Sequence, residues 1–353
     1  MAMTQASGAA SPAPPSDRLR RTSLTSRLLG RPAAGALLIT VFLWIVFAIL
    51  STLAGGGVFY SLDGTLNYLD VAAQVGIVGT AVALLMIGGE FDLSVGSLIG
   101  FAGIVIDICV TTYGLPVWLG ILISMVLTTI LGVINGLLVV RTGLPSFIVT
   151  LATLYIISGA TQALTAQITQ ITYIPIEPAK VAADPIAGIF NWSIGNFKVS
   201  ILWWILLAAV GVYILGRTKF GNWITGVGGS PSAARNLGVP VNRVKITLFA
   251  GTAFSAAILA AVQSMTFFSA DVLRGQGYEL RAITTAVIGG CLLTGGYGSV
   301  AGTAIGALAL GMAQIGIVFA NINADWYLVT LGTLLLVSVV LNNWFRRRYA
   351  GLR

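Results

Sequence analysis

Two carboxylates, Glu90 and Asp92, stand two residues apart between apolar runs, and Ser94 and Ser97 follow them. A carboxylate just ahead of a helix can accept from free backbone N–H groups and meet the positive end of the dipole. An ionisable side chain near a bilayer is also a candidate for handling protons or a solute. From the residues alone both chemistries stay open. Asn135, Thr150 and Thr153 lie inside apolar runs, where a polar side chain faces the interior of a bundle rather than lipid. Together with Glu90, Asp92 and Ser94 they are the candidates for lining a pathway. Asp107 falls towards the outer end of its span, where interfacial water would reach it, and reads as structural.

The chemistry that is missing narrows the classes. The chain has no histidine and no Cys-x-x-Cys, and Cys109 and Cys291 both sit inside apolar runs. Neither a metal site nor a structural disulfide is expected; both thiols read as small buried hydrophobes. No Gly-x-x-x-x-Gly-Lys-Ser/Thr occurs, so the chain has no phosphate loop of its own. A nucleophile beside a base is wanting, as are the several buried carboxylates of ion-coupled pumps. No catalytic residue or cofactor is expected, and an energy source has to come from another chain.

The cations gather in one stretch. Residues 217–245 carry Arg217, Lys219, Arg235, Arg243 and Lys245 without a carboxylate, between apolar runs at 199–216 and 246–270. A loop of that kind is held on the cytoplasmic side. It contains a legible short helix. Ser230 supplies an N-cap hydroxyl and Pro231 suits the first helical position. Residues 232–237, with Ala233, Ala234 and Arg235, make about two turns, and Gly238 can take the left-handed position that ends them. Pro240 prevents continuation. A helix this short is unstable alone, so it is either tucked onto the membrane domain or presented to a partner's groove.

The elements that must hold these residues are membrane spans. Hydrophobic residues make up 57% of the 353 and charged residues 8%, against about 25% charged in soluble domains. The composition predicts an all-α polytopic membrane protein in a lipid bilayer. The net charge of +8 is then no nucleic-acid signature, because most of its cations sit before residue 32, in 217–245, and at Arg346, Arg347, Arg348 and Arg353. Residues 1–31 read as a disordered basic cytoplasmic tail, 32–345 as the transmembrane domain, and 346–353 as a basic cytoplasmic end. Spans are expected at 33–53, 71–89, 93–112, 117–140, 144–165, 199–216 and 246–268, with outer loops at 54–70 and 166–198. The uncharged stretch 282–324 is too long for one span, and its glycine-rich middle, 289–303, suits a short or broken helix followed by a full one. With a last span at 326–344, the count is about ten, both termini inside.

Three Gly-x-x-x-Gly pairs, Gly96/Gly100, Gly132/Gly136 and Gly302/Gly306, predict close helix packing. A faint internal echo joins IGGEFDLSVGSLIGFA (87–102) to IGGCLLTGGYGSVAGTAIGALA (288–309); such duplications occur in transporters.

Four ordered stretches carry a family resemblance. GEFDLSVGS (89–97) resembles the GGIDLSVGS signature of the membrane permeases of bacterial sugar ABC importers, of the ribose, xylose and galactose type. NGLLVVRTGLPSFIVTLATLYIISG (135–159), VGGSPSAARNLGVPVNRVKI (227–246) and AVIGGCLLTGGYGSVAGTAIGALALG (286–311) are similar to that family's asparagine-glycine helix, cytoplasmic coupling segment and glycine-rich stretch. The resemblance implies a type II, vitamin B12-importer-like permease bundle in the bacterial inner membrane. It also implies a second permease copy or a paralogous permease, a periplasmic sugar-binding protein, and a cytoplasmic ATPase that holds ATP–Mg and docks on 230–238. Ser230, Pro231, Ala233, Ala234, Arg235 and Gly238 would then form the coupling helix. Ser232 stands where the leading Glu of the family's Glu-Ala-Ala loop would be, and Glu90 and Phe91 replace the signature's second Gly and its Ile. The rival class is a stand-alone proton-coupled secondary transporter or channel.

Overall fold

Once water is excluded, an apolar chain can satisfy its backbone only through internal hydrogen bonds, and the long apolar runs accordingly form helices. The computed structural model describes residues 32–349, with side-chain packing described for 33–341. The tail expected at 1–31 lies outside the described residues, as does 350–353 of the basic C-terminal end. In chain order the helices are α1 (Pro32–Leu53), α2 (Leu62–Ile87), α3 (Val95–Thr111), α4 (Val117–Thr142), α5 (Ser146–Thr169), α6 (Pro178–Ala183) and α7 (Gly188–Asn191). They continue with α8 (Val199–Arg217), α9 (Lys219–Gly229), α10 (Pro231–Asn236), α11 (Val241–Phe267), α12 (Tyr278–Ile288), α13 (Val300–Phe319) and α14 (Trp326–Tyr349).

Among the described residues, seven helices are long and apolar enough to cross a membrane: α1, α2, α4, α5, α8, α11 and α13. The apolar helices α3 and α14 are shorter over their described apolar parts, and α12 has only 11 residues. The architecture is an all-α polytopic bundle. Helices α2, α11 and α13 bury most of their surface, whereas α1, α4, α5 and α8 leave most of theirs open. Helix α11 packs against α2, α3 and α4, and α13 against α1, α2 and α12.

The glycine pairs lie where backbones touch. A Cβ on Gly136 would fall 2.8 Å from Ile246 Cα, and one on Gly132 would overlap Ala253, so this pair seats α4 on α11. Gly302 and Gly306 abut the carbonyls of Gly289 and Thr285 and seat α13 on α12. Gly96 and Gly100 face the non-helical segment 272–275, a Cβ on Gly100 falling 2.6 Å from the Val272 carbonyl.

Several expectations need correction. The loop expected at 54–70 gives way to helix from Leu62. Ser61 caps it by accepting from the Gly64 N–H (3.0 Å), and Asp63 stands in its first turn. Asp70, which made that stretch look like a loop, is buried within α2, where Lys198 neutralises it (2.8 Å) and the Ser200 hydroxyl donates to it (2.5 Å). Likewise α11 begins at Val241 rather than 246, taking Arg243 and Lys245 into its first turns. Asp107 is fully buried, not reached by interfacial water, because α3 is enclosed along that face. Residues 166–198 are not plain loop either. They hold β1 (Tyr173–Pro175), α6, α7 and the hairpin β2 (Ser193–Ile194)–β3 (Phe197–Lys198). β1 pairs antiparallel with β4 (Ser269–Asp271), Ile174 opposite Ala270. Strands this short carry no readable alternation.

The internal echo has a structural counterpart. Helices α2 and α12 end in the same cap. Gly89 and Gly290 N–H groups bond the carbonyls of Met86 and Val287, and those of Glu90 and Cys291 bond Leu85 and Ala286. Each is followed by a helix headed by a serine, Ser94 or Ser299.

Gly136→Val is expected to lower the melting temperature of the detergent-purified protein, at a cost of about 1–3 kcal/mol from overpacking. Gly251→Ala, where a Cβ meets nothing within 4 Å, is the control and is expected to leave it unchanged.

Candidate functional site

The segment between α2 and α3 is where the candidates converge. Helix α2 ends in a double-glycine cap, and Gly89 takes φ +84°, a left-handed conformation that disfavours any side chain. The chain then runs non-helically from Glu90 to Ser94, and its exposed backbone donors must be met from elsewhere. Ser146 Oγ accepts from the Phe91 N–H (3.0 Å) and Thr150 Oγ1 from the Leu93 N–H (3.1 Å). Both come from the first turns of α5.

Asp92 is fully buried and both its oxygens are occupied. Oδ1 accepts from the Ser94 N–H (2.9 Å) and hydroxyl (2.6 Å), and Oδ2 from the Thr252 hydroxyl on α11 (2.7 Å). The Asn135 amide on α4 donates to Ser94 Oγ (2.8 Å). Thus Asp92, Ser94, Asn135 and Thr252 form one hydrogen-bonded cluster at the head of α3, drawing on α4 and α11, and Thr150 of α5 is bonded to the same segment through the Leu93 N–H. Thr153 stays apart, its hydroxyl directed to the Thr150 carbonyl one turn back (3.2 Å). Asp92 orients the head of α3 through Ser94, which is the N-cap residue, rather than capping the first turn itself.

Glu90 is buried and forms an ion pair with Lys245 of α11. The carboxylate that replaces a glycine of the resembled signature therefore has its counter-charge in the basic stretch. Of the five cations there, Arg217, Lys219, Arg235 and Arg243 remain exposed.

The basic stretch is itself two helices. Thr218 caps α9 by accepting from the Gly221 N–H (3.1 Å). Ser230 then caps α10 through the Ala233 N–H (3.4 Å), with Pro231 at its first position. Gly238, at φ +80°, closes it, its N–H bonding the Arg235 carbonyl while the Val239 N–H bonds that of Ala234, both at 3.0 Å. Only the Ala234 side chain of α10 is buried; Ala233, Arg235 and Leu237 face outward.

Glycines join the two parts. Gly228, at the end of α9, lies against the Ile87 carbonyl and against Gly89, where a Cβ on Gly89 would sit 3.3 Å from Gly228 Cα. The glycine-rich loop 289–299 closes the junction. The Gly296 N–H bonds the Ile87 carbonyl (2.8 Å), and a Cβ on Gly295 would lie 2.6 Å from Gly89 Cα. The α9–α10 corner thus meets the end of α2 backbone to backbone, and the 90–94 segment is tied to α4, α5 and α11 by side-chain hydrogen bonds. Among the described residues no group of three metal-ligating side chains could hold a metal ion.

Ser146, Thr252 and the Glu90–Lys245 pairing were not legible in advance. Each is an isolated polar residue whose partner lies 55 to 160 positions away, and the only signal was a polar side chain in an apolar run.

The family model described as "Branched-chain amino acid transport system / permease component" matches residues 64–339. The "Fructose import permease protein FrcC" of Rhizobium meliloti is 30% identical over 336 residues, 94% of this chain and 91% of the relative. The "Ribose import permease protein RbsC" of Haemophilus influenzae is 30% identical over 291 residues, 81% and 87% of the two chains. The "Xylose transport system permease protein XylH" of Escherichia coli is 29% identical, covering 86% and 91%. No solved structure matches.

Glu90→Gln and Lys245→Met are each expected to destabilise the protein by about 3 kcal/mol, by stranding a buried charge. The double variant should be more stable than the sum of the singles by about 1–3 kcal/mol. Thermal unfolding in detergent reads both, and additive losses would show that the two groups do not interact.

Proposed function

This chain belongs to the branched-chain amino acid transport system / permease component family, and from that premise we propose that it forms the translocation path of an ATP-driven sugar importer. The relatives named for fructose, ribose and xylose support a monosaccharide or related polyol as the solute. In this reading α10, residues 230–238, is the coupling helix on which a cytoplasmic ATPase docks. ATP–Mg is held by that partner, a periplasmic binding protein delivers the solute, and the path is completed by a second copy or a paralogous permease. The protein then sits in the bacterial inner membrane with 217–245 and both termini in the cytoplasm. Counting the short α3 and α14 and the half-length α12 as passes makes ten, in a type II, vitamin B12-importer-like bundle.

The observation that carries this reading is the glycine junction at Gly228, Gly89 and Gly295. A partner can drive a conformational change only through contacts that differ between its two states. Here the α9–α10 corner, which carries an exposed helix of six residues, meets the end of α2 and the 289–299 loop backbone to backbone. The proton-coupled alternative lacks comparable support. Glu90 is paired with Lys245 and Asp92 accepts three hydrogen bonds, contacts that support structural roles for both carboxylates.

Gly238→Pro is expected to abolish uptake, since proline cannot take a positive φ and lacks the N–H that bonds Arg235. Ala234→Glu should do the same by placing a charge where α10 rests on the bundle. ATP-dependent solute uptake in vesicles holding the complete transporter is the measurement, with membrane insertion checked by immunoblot. Wild-type uptake by both inserted variants would remove α10 from the coupling path.

A further inference from the structure

A second polar cluster lies far from the glycine junction. Gln74 stands 13 residues before Ile87 on α2, about 20 Å along the helix at 1.5 Å per residue. Its side-chain carbonyl accepts from the Gln263 amide on α11 (2.9 Å) and from the Tyr278 hydroxyl on α12 (3.3 Å). The Gln263 amide also donates to the Tyr278 oxygen (3.0 Å). On one side Gln74 leads, at 3.5 Å, to Asp70 with its partners Lys198 and Ser200. On the other, the Arg281 guanidinium lies 5.3 Å from the ring centres of both Tyr278 and Tyr327.

A polar network whose only task is to hold helices together in a bilayer would close on itself, because each unmet polar atom is costly there. This one does not close. Gln263 Oε1 and the Tyr327 hydroxyl are buried and have no hydrogen-bond partner, in residues 3% and 8% exposed. Turning the Gln263 amide round merely exchanges which end is unmet. Gln74 and Arg281, by contrast, are only half-buried, so the cluster reaches an accessible face. Its one carboxylate, Asp70, is already neutralised, which leaves amide and phenol groups to meet a ligand.

We propose that Gln74, Gln263, Tyr278 and Tyr327 form a station on the solute path that takes a neutral, hydroxyl-rich solute. This rests on the sugar-importer reading above. The solute's hydroxyls donate to Gln263 Oε1 and share a hydrogen with Tyr327, while the Tyr278 and Tyr327 rings offer apolar faces to its C–H groups. A few neutral hydrogen bonds hold such a solute and still let it leave, as a conduit requires.

The test is solute transported per ATP hydrolysed, in proteoliposomes holding the complete importer with its ATPase and binding protein. The probes are radiolabelled ribose, xylose and fructose. Gln263→Leu and Tyr327→Phe are each expected to lower that ratio about tenfold, the effect of one lost hydrogen bond of about 1.4 kcal/mol. ATPase activity stimulated by the loaded binding protein should stay within about twofold of wild type on the same reasoning. An unchanged ratio in both variants overturns the station while leaving the importer reading intact. A parallel fall in ATPase activity and melting temperature makes the cluster purely structural and also overturns it. Uptake by the wild type that needs neither ATP nor the binding protein overturns the importer reading, and the station with it.

Discussion

Everything at the basic end of the bundle depends on one close approach of backbones. The Ile87 carbonyl, one of those a helix end leaves unmet, accepts from the Gly296 N–H and is covered by Gly228. Three chain segments far apart in sequence can meet there only because Gly89, Gly228, Gly295 and Gly296 have no Cβ. Interposed side chains would offer rotamers that absorb a displacement. Packed backbone offers none, and a close-packed interior transmits strain rather than dissipating it. The junction is therefore stiff, with α9 and α10 on one side and the spans on the other.

The second organising term is the cost of stray charge. Few ionisable residues lie in the described bundle, and two of the buried carboxylates are matched over long sequence distances: Glu90 with Lys245, Asp70 with Lys198. Asp92 has no cation but is surrounded by hydroxyl and amide donors. Each match decides which segments must be neighbours, since removing one member strands the other in a medium that solvates it poorly. A glutamate in a glycine-rich loop is tolerable only where a lysine reaches it, and α11 begins early enough to bring Lys245 there.

The two ends of the bundle solve the polar problem differently. Around Asp92 the donors and acceptors are matched, which suits a part that must move as a unit. Around Gln263 acceptors remain open, and the groups are neutral. Rigidity belongs to the end read as the coupling side, and unfilled hydrogen-bonding capacity to the other half.

Much of this was legible in the residues. Ser230, Pro231 and Gly238 specify α10 by local backbone chemistry alone, and the short helix lies where they place it. The apolar runs made the chain a polytopic bundle, and the glycine-rich 289–303 interrupted it, because those effects act within a few neighbouring positions. Charge was the misleading cue for boundaries. Asp63, Asp70, Arg243 and Lys245 suggested loop, yet all lie in helix, since their partners or caps come from elsewhere. What the tertiary structure alone decided is pairing: that Lys245 answers Glu90, that Thr252 binds Asp92 and Asn135 binds Ser94, and that Gly228, Gly89 and Gly295 touch. A single polar residue in an apolar run announces that it needs a partner, but the identity of that partner depends on the packing of distant helices, which no local pattern encodes.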